Sequence, residues 1–282
     1  MPTLTITDLS IYPIKSCAGI TLETALVTAH GLQYDRHWVI VDHQQHFLTQ
    51  RQHPRMALIQ PSLSKQQLQL SAPGMSPLVL STEPPKQPDS PCNVTVWRDS
   101  IPAWDEGNQA AQWLSEFLAQ PVRLMRYAEP YQRACDPQWA GDSKAYTHFA
   151  DGYPILVVNT ASLAELNQRL AANGSTAIPM NRFRANIVVS GDELGAFEED
   201  YLETLSSMGL VLRAVKPCAR CSVPSVDQQT GVHTGPEPTA TLTHFRHDPR
   251  VQGVTFGQNL IIEAGAGTTL TVGSTLHAAL NF

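Results

Sequence analysis

Short strand-like runs recur from one end of this chain to the other, and helical periodicity interrupts them in only a few places. Residues 4–12 alternate apolar and polar side chains, 37–41 followed by 43–49 has the form of a hairpin, and 56–60, 67–71 and 78–81 add shorter runs. Further runs follow at 154–158, 186–190, 210–215, 255–262 and 268–272. Two helices stand out among them. Trp113, Leu114, Phe117 and Leu118 share one face, with Asp105 or Asn108 as cap and Pro121 as the stop. Leu163, Leu166 and Leu170 share another, capped by Thr160 and ended by Gly174. The pattern predicts a β-rich α+β fold without internal repeats. A polar, turn-rich stretch at 128–152 reads as a junction, which divides the chain into an N-terminal mixed β module, residues 1–125, and a second domain, residues 126–282. The proline-rich residues 83–91 read as a mobile polar loop.

Composition excludes several classes of function. The chain has 282 residues, ample for a core, and a net charge of -6, the wrong sign for a general nucleic-acid binder. Any anion site must therefore be local. No apolar run reaches membrane-spanning length. Five cysteines, an odd number, and the lack of a charged-then-apolar leader after Met1 point to a reducing, cytoplasmic setting. Of 19 basic residues 14 are arginine, whose planar fork suits phosphate and carboxylate.

Lys216-Pro217-Cys218-Ala219-Arg220-Cys221 concentrates the chemistry. Two thiols beside two cations favour the thiolate, the form that binds a soft metal or attacks as a nucleophile. The apolar run 210–215 reads as a buried strand that Pro217 stops, which places the cysteines on a strand-end loop. A structural zinc site needs four ligands, and the nearest supplement, His244 and His247, is spaced one residue too short for a zinc-finger pair. A thioredoxin-like pair should open a helix, yet residues 221–226 are β-branched and broken by proline. A plain buried thiol accounts for one cysteine but not for Lys216 and Arg220. Three other blocks, at 12–17, 34–38 and 181–186, set cations among small polar residues at strand or loop ends. Each alone reads as a solvated loop; with Cys218 and Cys221 they suggest a cradle for an anion beside a thiolate.

Five blocks in order, YPIKSC, GLQYDRHW, FADGYPILVV, RFRANIVVSG and KPCARCSVPSVDQQTG, resemble the MOSC superfamily in its two-part form, over roughly residues 4–276. Within it, the chain resembles the branch of the mitochondrial amidoxime reducing components and their bacterial relatives. The resemblance implies a MOSC-type β-barrel with a smaller N-terminal β-barrel module, and a molybdenum cofactor (Mo-molybdopterin). By resemblance Cys221 is the molybdenum ligand and catalytic residue, and Cys218 a supporting one. Lys15, Ser16, Arg36, Asp151, Arg184 and Asn186 carry over as grips on the cofactor's phosphate and pterin, and Arg220 joins them as the neighbour of the thiolate. Ala185 stands where the family commonly has proline, and Gly152-Tyr153 also departs from the animal proteins.

The implied activity is two-electron reduction of small N-hydroxylated compounds. Ferredoxin-type cluster spacing is absent, so electrons are expected from a separate donor protein of ferredoxin, flavodoxin or cytochrome b5 type. Two alternatives remain open: a sulfur carrier acting through a Cys221 persulfide, and a non-catalytic carrier of the molybdenum cofactor. His37, His233 and His244 are candidates for proton transfer, against the more ordinary reading of surface or packed histidine.

Overall fold

A computed structural model of the chain describes residues 1–83 and 91–281. Most of the proline-rich stretch, residues 84–90, lies outside the described residues. Seven strands build a closed barrel: β1 (Thr3–Ile11), β2 (Ile155–Asn159), β3 (Ile187–Ser190), β4 (Leu202–Ser207), β5 (Leu210–Ala219), β6 (Gly253–Ala264) and β7 (Thr275–Leu280). They neighbour one another in the order β2-β3-β1-β7-β4-β5-β6, and β6 returns to pair with β2. Only β2 and β3 run parallel. A parallel pair needs a long crossover, and the helix Thr160–Ala172 lies in that connection. Asn159, not Thr160, caps this helix by accepting from the Ala161 N–H at 3.1 Å.

The alternating pattern of the first strand fills the barrel. Leu4, Ile6, Leu9 and Ile11 of β1 are buried against Val157, Val189, Leu205, Leu212, Leu260 and Leu276. The spacing from Ile6 to Leu9 breaks strict alternation, and a register shift between Ile6 and Asp8 turns Leu9 inward while Asp8 faces out. Each such side chain contributes roughly 1.5–3 kcal/mol relative to exposure. Where the barrel closes, Gly257 holds φ at +80°, and a Cβ there would lie 2.7 Å from the Val157 carbonyl oxygen. Only glycine permits that approach.

One expectation about the cysteine block is corrected. β5 does not stop at Pro217 but continues to Ala219 opposite β6, through register shifts between Ala214 and Lys216 and between Pro217 and Ala219. Proline offers no N–H to the ladder, and a strand accommodates it at such irregularities. Cys218 therefore lies inside the strand, and Cys221 just beyond it.

Outside the barrel, Trp38–Val41, Arg123–Tyr127, Asp99–Asp105 and Cys92–Val96 form an antiparallel sheet in that order. Gln60–Ser64, Gln67–Ser71 and Leu78–Ser81 form a three-stranded one. The helix Asn108–Leu118 packs Trp113, Leu114 and Phe117 against Ile40, Leu68 and Leu124. Gly107 stands at its N-cap with no side-chain cap; Asp105 instead accepts from the Gly107 N–H. The run at 56–60 is mostly not a strand. Pro54–Leu58 forms a 3-10 turn, led by a proline whose fixed φ suits a first helical position, and the strand begins at Gln60. No helix among the described residues is long and apolar enough to cross a membrane.

Candidate functional site

The cleft assembles where β1 ends. Past Ile11 the chain continues beside residues 36–38: the Arg36 N–H donates to the Tyr12 carbonyl at 2.9 Å, the Trp38 N–H to Pro13 at 3.0 Å and the Lys15 N–H to Trp38 at 2.8 Å. The Tyr12 N–H donates to Asp35 Oδ1 at 2.8 Å. These bonds carry Lys15 and Arg36, 21 positions apart in sequence, to one wall. Arg184 follows a 3-10 turn, Met180–Phe183, that leads toward β3, and its guanidinium lies 4.2 Å from the centre of the Tyr12 ring. Arg36 approaches the same ring at 4.4 Å, so one buried tyrosine stacks with both cations.

Lys15, Ser16, Arg36, Asp151, Arg184, Asn186, Arg220 and Cys221 all line this one cleft of about 870 Å³, counting its open mouth. Lys15, Arg36, Arg51, Arg184 and Arg220 set five cations against the single carboxylate of Asp151. In a chain of net charge -6 this is a local reversal of sign. The cleft also concentrates backbone strain, because Ser16, Arg36 and Arg184 hold φ at 67°, 48° and 57°. Non-glycine residues in this region persist only where their surroundings fix them.

Internal partners hold much of this charge. Lys15 Nζ donates to the Phe149 carbonyl at 2.8 Å and to Asp151 Oδ1 at 2.5 Å. Burial pushes the Lys15 ammonium below its usual range, against the pull of Asp151. The cleft walls withdraw some hydration from the Asp151 carboxylate, although its side chain is 74% exposed, and Lys15, a hydrogen bond from Trp97 and the nearby Arg36 outweigh that and hold the carboxyl low. Arg36 pairs with buried Asp35 at 2.6 Å and donates to Asn186 Oδ1 at 3.1 Å. Asn186 also accepts from the Leu156 N–H and donates to the Ser10 carbonyl, so its amide ties Arg36 to β1 and β2. Other donors remain unmatched: Arg184 Nη2 and Arg220 Nε are buried without a hydrogen-bond partner in this structure.

The two cysteines differ. Arg220 Nη1 lies 3.0 Å from Cys218 Sγ and its Nη2 donates to the Phe183 carbonyl, so Arg220 engages Cys218 rather than Cys221. Cys221 is exposed at the cleft wall. All five cysteines are free thiols. Among the described residues neither cysteine joins two further His, Cys, Asp or Glu ligands, and so no zinc-type cluster with His244 and His247 forms.

Other residues here were not legible from sequence. Phe47, Arg51 and Trp97 line the cleft: Arg51 lies 4.6 Å from the Trp97 ring, and Phe47 meets that ring edge-on at 5.1 Å. Trp97 occupies a hairpin turn at φ 58°, and an exposed tryptophan in a turn was the one available signal. Buried Arg133 donates to the His148, Ala150 and Asp151 carbonyls and pairs with Asp99, which fixes the loop bearing Asp151. His37, His233 and His244 do not line the cleft.

Comparison with known proteins identifies the family. The MOSC N-terminal beta barrel domain matches residues 3–121 and the MOSC domain residues 144–277. The chain is 34% identical over 273 residues to mitochondrial amidoxime-reducing component 1 of Homo sapiens, covering 92% of this chain and 79% of that protein. It is 34% identical over 249 residues to mitochondrial amidoxime reducing component 2 of Bos taurus, covering 86% and 72%. It is 35% identical over 240 residues to molybdenum cofactor sulfurase of Bos taurus, of which it spans 27% of the length.

Proposed function

The chain belongs to the MOSC family, and we propose that it is a molybdenum cofactor-binding oxidoreductase that reduces small N-hydroxylated compounds. The observation that carries this reading is the cleft's pairing of five cations with an exposed thiol, Cys221. The residues present fit a phosphorylated, sulfur-ligated metal cofactor. Arg184 Nη2 and Arg220 Nε are buried donors lacking acceptors, and an unmatched buried donor costs about 1–3 kcal/mol unless a ligand or water satisfies it. Lys15, Ser16, Arg36 and Arg184 would hold the phosphate, Asp151 and Asn186 the pterin, and the Cys221 thiolate the metal. When bound, the cofactor supplies the two-electron redox chemistry that no side chain of the cleft provides.

What the chain itself does follows from its geometry. The Asp35 carboxylate and the Asn186 amide fix the Arg36 guanidinium from behind, so its charge is set before any ligand arrives. Arg220 holds Cys218 aside, which leaves Cys221 as the accessible thiol. Phe47, Arg51 and Trp97 form an aromatic and cationic wall suited to a flat, neutral N-hydroxylated group. Electrons would come from a separate donor protein of ferredoxin, flavodoxin or cytochrome b5 type.

Protein from a host that makes the cofactor, supplied with a reduced viologen dye, should convert benzamidoxime to its amidine. The reading fails if loaded protein turns over none of several N-hydroxylated compounds. Persulfide on Cys221 after incubation with a cysteine desulfurase would then favour sulfur transfer, in line with the similarity to molybdenum cofactor sulfurase.

A further inference from the structure

A second cleft lies on the other side of the same two chain segments and shares no lining residue with the first. His37 follows Arg36, His148 precedes the loop to Asp151, and the two segments are joined by the Phe149 N–H donating to the Arg36 carbonyl at 2.9 Å. Glu129 completes the group. One ligand atom from each of His37, His148 and Glu129 lies within 4.8 Å of the others. Among the described residues no other three His, Cys, Asp or Glu side chains gather in this way.

The unpartnered Nε2 of buried His148 is the second observation. This side chain is only 6% exposed. Its Nδ1 lies 3.4 Å from the Asp35 carbonyl oxygen, and its Nε2, which makes no hydrogen bond, lies 3.5 Å from Glu129 Oε1. A neutral ring carries one proton, so whichever nitrogen holds it, the other aims a lone pair at an oxygen. A dication at Nε2 removes that conflict: Nδ1–H then donates to the Asp35 carbonyl, the outer arrangement that metal-binding histidines commonly show. An imidazolium would also remove it. The groups that face the ring are the Glu129 carboxylate, His30 stacked at 4.6 Å and His37 edge-on at 4.9 Å, and Zn²⁺ binding separates the two readings. Burial holds the His37 imidazole down to about 3, leaving it in the neutral, ligating form.

We propose that His37, His148 and Glu129 form a site for a transition-metal dication of zinc type, separate from the cation-lined cleft. Two imidazoles, one carboxylate and a water make a tetrahedral donor set suited to zinc. Bonds of about 2.0–2.1 Å put tetrahedral ligands about 3.3 Å apart, and the His148–Glu129 edge is already 3.5 Å. Glu129, 61% exposed, is free to close the remaining distance.

The test is calorimetric titration of Zn²⁺ into chelator-dialysed, full-length protein carrying Cys218→Ser and Cys221→Ser, which removes the competing thiols of the first cleft. The expected result is one Zn²⁺ per chain and a melting midpoint raised by the metal. Glu129→Gln and His37→Ala in that background should each weaken binding by more than about 100-fold, the upper end of what losing an outer-shell partner costs. Because Glu129 is exposed, Glu129→Gln should melt like its parent in the absence of metal. The proposal is overturned if no stoichiometric Zn²⁺ binds, or if affinity is the same in both variants. It is equally overturned if nuclear magnetic resonance finds both His148 nitrogens protonated at neutral pH in protein that ignores Zn²⁺.

Discussion

Arg36 and His37 are neighbours in sequence, yet they line different clefts of opposite chemical appetite. Asp151 and His148, three residues apart, divide in the same way. On one side five fixed cations surround an exposed thiol; on the other three imidazoles meet a single carboxylate. Arg36 lies in a turn at φ 48° and residues 148–151 lie in a bend, so neighbouring side chains diverge and a short segment serves two sites at once. The first cleft carries permanent charge that invites an anion. The second presents lone pairs, which invite a cation. The backbone bond from the Phe149 N–H to the Arg36 carbonyl joins the two segments, and so the two sites share a scaffold without sharing ligands.

The largest effect expected from this division concerns the cation cleft. Lys15→Ala combined with Arg184→Ala removes two charge-assisted grips, each worth about 1.5–3 kcal/mol, so the double variant should lose at least about a hundredfold in cofactor affinity. Pterin recovered from purified protein, measured after oxidation to its fluorescent form, should fall close to background. Zn²⁺ affinity at the imidazole cleft should change little. A parallel fall of both would show that the clefts are one coupled unit and break the comparison.

A smaller effect concerns charges held for a ligand and a carboxyl that burial keeps neutral. Glu199 lines neither cleft, is fully buried, and accepts a hydrogen bond from the Ser162 hydroxyl at 2.6 Å. Burial, only partly offset by that bond, pushes its carboxyl from 4.5 up to about 7. The folded state then keeps a proton that the unfolded chain releases. The stability this gives is present below pH 4.5 and is lost as the pH rises through about 7. Glu199→Gln should therefore gain on the parent between pH 5 and pH 8, by roughly 3 kcal/mol at most. Thermal melts of both proteins at the two pH values measure this, and identical pH dependence would contradict it.

Much of the first cleft was legible in the sequence because its parts are short blocks of cations at strand ends. YPIKSC, YDRHW, RFRAN and KPCARC each place a charged residue next to a strand, and a barrel brings strand ends together. The second cleft left no such trace. His30, Glu129 and His148 stand alone in sequence, and His37, although it belongs to the YDRHW block, meets them only through tertiary packing. The stop at Pro217 was misread because a lone proline reads as a breaker, whereas β6 supplies a partner that tolerates irregular register. Asn159 was passed over as a cap because it is also the last residue of a buried strand. The packing of β1 among strands that follow residue 154 lay equally beyond local pattern, since pairing partners so distant leave no periodic signal.

Under the proposed function, Cys221 would ligate molybdenum in a cleft whose cations hold the rest of the cofactor. The most direct test of that assignment is the molybdenum content of the parent and of Cys221→Ser, both purified from the same cofactor-competent host, with Cys218→Ser as the comparison. The account predicts about one molybdenum per chain in the parent, a modest loss in Cys218→Ser, and loss of the metal–thiolate X-ray absorption signature together with most of the metal in Cys221→Ser. Equal molybdenum and an unchanged signature in Cys221→Ser would contradict it.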